Sequence, residues 1–301
     1  MSPLYVGIMS GTSLDGIDIT LCRFNDERRA ECLDALCVPM PADLRQVLEM
    51  TIDKAREVGV AWGLIRNLTH QGAMAYYSQA AAERGMAGII AVTNPPNMAP
   101  PGARAAGTHN SPIAIAVPGK DRPPISLDMA TSVAAGGKLD VARDKGLSIP
   151  LEWALDEDGV PTDDPHKATY LQPAGGYKGY GLALMFECLT GVLAGAPILA
   201  LAARAPETVP FGVQNSFVCV VDITTFVDLD AFQLDVDELI DSMHALPTVK
   251  GANPILVPGE VELKVLEERS AEGIPLPSGT VQRLQSVAEK TGLALPPELA
   301  V

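Results

Sequence analysis

Long apolar runs are missing from this chain, as are a cysteine framework, a surplus of basic residues and a glycine-rich dinucleotide fingerprint after the first strand. No apolar stretch reaches the roughly 18 residues that a membrane-spanning helix needs. The N-terminus also lacks the basic region and apolar core of a secretion signal, so the expectation is a cytoplasmic chain with no membrane partner. The five cysteines (Cys22, Cys32, Cys37, Cys188 and Cys219) form no C-x-x-C pair, which fits reduced thiols and excludes an evident structural zinc site. Lys and Arg number 22 against 37 Asp and Glu, a formal charge of −15 with no basic cluster, so a nucleic-acid backbone would be repelled. The four histidines show no spacing with Cys, Asp or Glu that suggests a metal site. Without G-x-G-x-x-G, the ordinary Rossmann fold is not signalled.

What is present is an ordinary globular balance: 301 residues, 47% hydrophobic and 20% charged, enough for one large or two ordinary domains. Leu4 to Phe24 read as a strand, a Gly/Ser/Thr turn and a second strand. From Thr51 the pattern predicts a helix ending in a Val-Gly turn, a buried strand, and an Ala-rich helix ending at Gly85. A strand (GIIAVTN), a Pro/Gly/Asn loop over 94–107 and another strand (IAIAVP) follow. Helices and strands alternate, which makes the expected class α/β or mixed α+β. Cys188, Met185 and Phe186 read as packing residues of an apolar helix, and His109, His166 and His244 as structural or surface residues.

The segment Ile125 to Gly136, ISLDMATSVAAG, joins a short strand to a run of small and hydroxyl residues. Small side chains let backbone amides approach a ligand, and Asp128, Thr131 and Ser132 add hydrogen-bonding groups. This suits an anionic or ribose-bearing cofactor, and equally a tightly packed strand-to-helix junction. Further on, Gly175, Gly176, Gly179 and Gly181 surround Lys178 before an apolar helix. Free amides and the helix dipole favour anions at such a start, although a glycine turn with a solvated lysine has the same appearance.

The segments RNLTHQG, THNSPIAIAVPG, LDMATS, WALDEDGVPTDDP, PAGGYKGYGLAL and VPGEVELKVLEERSAEGIPL, in this order, resemble the malate/L-lactate dehydrogenase family. The resemblance is dense from about residue 55 to the C-terminus, and it implies a non-Rossmann NAD(P)-binding fold. It further implies hydride transfer between NAD or NADP and a small 2-hydroxy/2-oxo acid, in a homodimer. Carried across residue by residue, it places cofactor contacts at Asp128, Met129, Ala130, Thr131, Ser132, Val133 and Ala134, at Lys178 and Gly179, and at Gly259 and Glu260. It places His70 and Asn110 near the nicotinamide and the substrate. His70 is the implied catalytic residue, since imidazole titrates near neutrality and the ketone oxygen needs a proton donor.

The first 48 residues differ. GIMSGTSLDGID and VPMPADLRQVL resemble the N-terminal phosphate-binding hairpin of anhydro-N-acetylmuramic acid kinase. That resemblance implies an actin-like kinase hairpin over residues 1–50 ahead of a dehydrogenase body over 51–301, with Gly11, Thr12, Ser13 and Asp15 gripping ATP phosphate. No later segment matches such a kinase. The dehydrogenase resemblance also lacks one part, the Ser-His-Gly motif and following arginine that open the family's catalytic region. Three readings follow: an oxidoreductase weakened by that loss, a sugar kinase, or an inactive chimera.

Overall fold

The structure is a computed structural model describing residues 4–10, 17–24, 30–38, 42–210, 212–276 and 278–292, with side chains described from residue 46 onward. Strands β1 (Leu4–Ser10), β2 (Ile17–Phe24) and β3 (Ala30–Val38) form an antiparallel three-stranded sheet in that order. The first two pair as the expected hairpin, Ile8 opposite Ile19. The turn carrying Gly11, Thr12, Ser13 and Asp15 lies outside the described residues.

Helix α1 (Ala42–Val58) begins nine residues before the helix expected from Thr51. Leu48, Ile52 and Ala55, spaced by four and three, form its buried stripe, while Lys54 pairs with Glu57 and Arg56 with Asp53 on the solvent side. The expected division at residues 50–51 therefore falls inside one continuous helix.

A five-stranded sheet organises the remainder, in the order β4 (Val60–Leu68), β10 (Gln214–Asp222), β5 (Met86–Thr93), β6 (Ile113–Val117), β7 (Ile125–Met129). Every pairing in it is antiparallel. Strands β8 (Ala154–Leu155) and β9 (Tyr170–Leu171) pair separately. One face of the large sheet packs on α1 and α2 (Ala75–Ala82), burying Ile52, Tyr77, Ile90 and Val218 together. The opposite face meets α4 (Tyr177–Glu187) through Ala91, Phe186, Phe217 and Cys219. A further cluster joins α3 (Gly136–Lys145) to α4 through Met98, Leu139, Leu171 and Ala183.

Three packing expectations are corrected. β4 is an edge strand rather than a buried one: Ala61 and Ile65 face α1, but Val60, Trp62 and Leu64 are exposed on the other side. Cys188 is exposed, and so is Met185, whereas Phe186 is buried as expected. The cause is that α4 is apolar around most of its circumference, so its sequence does not mark the one stripe that faces the sheet.

Candidate active site

The antiparallel register brings five strand ends to one edge of the sheet. Leu68 lies opposite Gln214, Asn215 opposite Thr93, Ala91 opposite Ile113, and Ile113 opposite Met129. The segments that leave this edge carry His70 (69–74), Asn110 (94–112) and Thr131 to Ala134 (130–135). Residues 171–179 join them through backbone bonds: Ala174 N–H donates to Thr131 O at 2.9 Å, and Val133 N–H to Gln172 O at 2.9 Å.

His70 is exposed, and its Nδ1 accepts the Gly72 N–H at 2.9 Å. In the neutral ring the proton therefore sits on Nε2. Asn110 forms a reciprocal pair with Asn97: Asn97 Nδ2 donates to Asn110 Oδ1 at 3.0 Å, and Asn110 N–H donates to Asn97 Oδ1 at 2.8 Å. That pairing leaves Asn110 Nδ2 as a free donor among the described residues. The Asn110 carbonyl accepts from Thr131 N–H at 3.0 Å, which ties the two expected binding segments together.

Asp128, one residue before the end of β7, caps a helix in space. Its Oδ2 accepts the Ala75 N–H at the start of α2, at 2.8 Å. Partial loss of solvent raises its pKa above the usual carboxylate value and the nearby Glu262 adds to this, while the Ala75 and Met74 amides pull it down. Ser132 Oγ donates to Ala134 O at 2.7 Å, so that hydroxyl is already engaged, whereas fully buried Thr131 has an unpartnered Oγ1.

Gly175 and Gly176 precede α4, both with positive φ, and a Cβ on Gly176 would meet nothing within 4 Å. Open space thus lies over the helix start, where the Lys178 side chain is exposed and, among the described residues, free of hydrogen bonds and ion pairs. Gly179 serves a different purpose: a Cβ there would collide with the backbone of Thr131 and Ala174, so only glycine lets α4 approach that segment.

Gly259 and Glu260 stand apart. They flank the beginning of β7, where Ser126 N–H donates to Pro258 O, rather than its site end at Met129. Glu260 Oε2 accepts the Val257 N–H at 2.8 Å and pairs with His244 Nε2 at 3.0 Å, contacts that outweigh burial and lower its pKa. Only Glu262, next along α7 (Glu260–Glu272), acts electrostatically on Asp128.

Several residues of the site were not singled out by the sequence. Eight buried side-chain N or O atoms lack a partner among the described residues, and six belong to the segments at this edge: the expected Thr131, and Gln71, Asn94, Thr108, His109 and Ser111, which the sequence did not mark as ligand contacts. His109, expected as structural or surface, is structural: its Nδ1 is shielded from solvent, and burial pushes its pKa down to about 3 and keeps the ring neutral. The signal available in sequence was the polar run Gln214, Asn215, Ser216 opening an otherwise apolar strand, all three buried. Among the described residues no group of three or more His, Cys, Asp or Glu is arranged to hold a metal ion.

A mixed α/β body with an antiparallel sheet, whose polar edge gathers a histidine, an amide and a lysine-bearing helix start, is the arrangement of a small-molecule enzyme. The chain belongs to the malate/L-lactate dehydrogenase family, which it matches over residues 25–285. It is 35% identical over 252 residues to the L-sulfolactate dehydrogenase of Methanothermobacter thermautotrophicus, covering 83% of this chain and 72% of that protein. It is 33% identical over 242 residues to the ureidoglycolate dehydrogenase (NAD(+)) of Escherichia coli, covering 80% of this chain and 69% of that one. The solved sulfolactate dehydrogenase of Methanocaldococcus jannaschii superposes with a TM-score of 0.68 at 33% identity, over 82% of this chain and 72% of that one. The family match starts within the segment that resembles the kinase hairpin, and these comparisons give a kinase no support. Among the described residues no helix is long and apolar enough to cross a membrane.

Proposed function

We propose that this protein is an NAD(P)-dependent dehydrogenase interconverting a small 2-hydroxy acid and its 2-oxo acid, of malate or L-lactate type, acting in the cytoplasm as a homodimer. The observation that carries the reading is the gathering of His70, Asn110 and Lys178 around one sheet edge where buried polar atoms lack partners among the described residues. Buried groups left unpaired cost free energy, and a polar ligand offsets that cost. The open space above Gly176 beside Lys178 fits an anionic group such as the cofactor's pyrophosphate.

When bound, the nicotinamide supplies or takes up hydride at its C4. The chain's own residues do the rest. His70, with the proton of its neutral ring on Nε2, hydrogen-bonds the ketone oxygen and polarises it, while the proton that this oxygen gains on reduction, and gives up on oxidation, is exchanged with water. Asn110 Nδ2, its Oδ1 held by Asn97, offers a hydrogen bond to the substrate. The Lys178 side chain holds phosphate oxygens, the Lys178, Gly179 and Tyr180 amides being already bonded to the Gly175, Ala174 and Gly176 carbonyls, with Thr131 and its neighbours fixing the adjoining wall. Gly259 and Glu260 enter the cofactor site only through the approach of α7 to β7.

The test is a fluorescence titration of NADH and NADPH into the protein, followed by 2-oxo acids such as oxaloacetate and pyruvate with nicotinamide absorbance monitored. Saturable binding with turnover is expected. Binding without turnover would mean that acid/base help left with the Ser-His-Gly region, and no binding of either nucleotide would overturn the reading.

A further inference from the structure

We propose that Gln214 and Asn215, at the start of β10, are positioning residues that set the location and proton tautomer of His70. The inference rests on the reading of His70 as the hydrogen-bond donor that polarises the substrate carbonyl, but its central measurement does not depend on activity.

A defect in the sheet lies just ahead of His70. Gln214 pairs with Leu68 and Ser216 with Ile65, so β4 has one residue more than β10 over this interval. Such a bulge bends its strand and removes ladder bonds, and it redirects the side chains that follow. Within it, Asn67 adopts φ of +57°, the one non-glycine residue with positive φ among those described. A left-handed residue at a strand end is unfavourable unless its surroundings hold it, although Asn tolerates it better than most.

Asn215 supplies that hold. It is fully buried and uses both ends of its amide: Oδ1 accepts the Asn67 N–H at 2.9 Å, and Nδ2 donates to Ala196 O at 2.7 Å. Gln214 repeats the device four residues further along, its Oε1 accepting the Gln71 N–H at 2.9 Å. His70 lies between these two anchored amides. The Gln71 carbonyl is fixed as well, by the Tyr77 hydroxyl at 2.9 Å.

With its flanks fixed, His70 Nδ1 faces the Gly72 N–H, and the proton of the neutral ring is confined to Nε2. Two buried amide side chains therefore replace the ladder bonds that the bulge removes, and they do so on either side of the imidazole. Valine or isoleucine would suit a buried strand better and would avoid burying polar atoms. What the amides provide instead is a defined geometry for the loop.

The test uses the full-length chain labelled with nitrogen-15 at histidine, where only four imidazoles contribute signals. In the parent, the neutral imidazole of His70 should show a protonated Nε2 and an unprotonated Nδ1. Asn215→Ala and Gln214→Leu should each shift this toward a mixture of tautomers. They should lower kcat about 10-fold to 100-fold, the scale expected when a reacting group is displaced by about an ångström, and leave NADH affinity within about twofold. Gln214→Glu keeps the acceptor for the Gln71 amide and should recover most of the loss. If Asn215→Ala fails to fold, the Gln214 pair still decides the matter.

Parental His70 signals in Gln214→Leu would overturn the proposal, whatever the rate. Equal losses of NADH affinity, kcat and thermal stability with an unchanged tautomer would mark a structural role and overturn it too. Parental kcat in His70→Ala would instead remove the polarising role of His70, leaving the nitrogen-15 result to judge the clamp.

Discussion

Two side chains near the site differ in what surrounds them, and each carries a prediction. Lys178 is exposed beside open space and, among the described residues, unpaired, so its charge is available to an anion. Lys178→Ala should weaken NADH binding about 10-fold to 100-fold, as the loss of one charge-assisted contact worth roughly 1.5–3 kcal/mol implies; unchanged affinity in a fluorescence titration would move the phosphate site elsewhere. His109 is the opposite case, a buried imidazole with an unpartnered Nδ1 and a pKa pushed down to about 3. Because the unfolded chain binds the proton more readily, its stabilising effect is complete above the ordinary imidazole value of 6.5 and is lost as pH falls toward about 3. His109→Gln should flatten that acid limb, and urea midpoints at pH 7 and pH 5 that fall equally in variant and parent would contradict it.

At the scale of elements, α4 shows how one helix serves two functions. Its beginning offers the Lys178 side chain to the site, while its end carries buried Glu187, whose Oε1 accepts the Ile198 and Leu199 amides at 2.6 and 3.0 Å. Burial raises the Glu187 pKa, only partly countered by those amides. The folded state therefore holds this proton more tightly than the unfolded chain. The resulting stability is full below the ordinary carboxylate pKa and declines as pH rises through the raised value. Glu187→Gln keeps an acceptor for both amides and has no charge to bury. Its stability relative to the parent should thus rise between pH 4 and pH 7, and a constant difference in denaturation midpoints across that range would refute the account.

For the whole molecule, the informative feature is the exposed side of β4. Val60, Trp62 and Leu64 form an apolar row on an edge strand, with Trp62 stacked on Phe217 at 4.1 Å. Edge strands of this kind invite association unless charge or cover protects them. Light scattering should therefore find the parent as a dimer, and Trp62→Glu should shift it toward monomer. A parent that stays monomeric at tens of micromolar would leave the homodimer without support.

The sequence by itself determined the order of helices and strands from about residue 51 to the strand at Ile125, and the apolar helix after Lys178, but not the central strand β10. Its segments around Asp128 and Lys178 also marked where ligand contacts should be sought. Those features are local: side-chain period, turn residues and glycine placement act over a few neighbouring positions. The tertiary structure alone decided what meets what. Antiparallel register brought His70, Asn110 and Thr131 to one edge, left Gly259 and Glu260 at the other end of β7, and turned Cys188 and Met185 outward. The clamp on His70 was least visible of all, because Asn67 and Asn215 are 148 residues apart and meet only through the pairing of β4 with β10. Local composition sets the conformation of a segment, whereas long-range pairing sets its neighbours, and a site is made of neighbours.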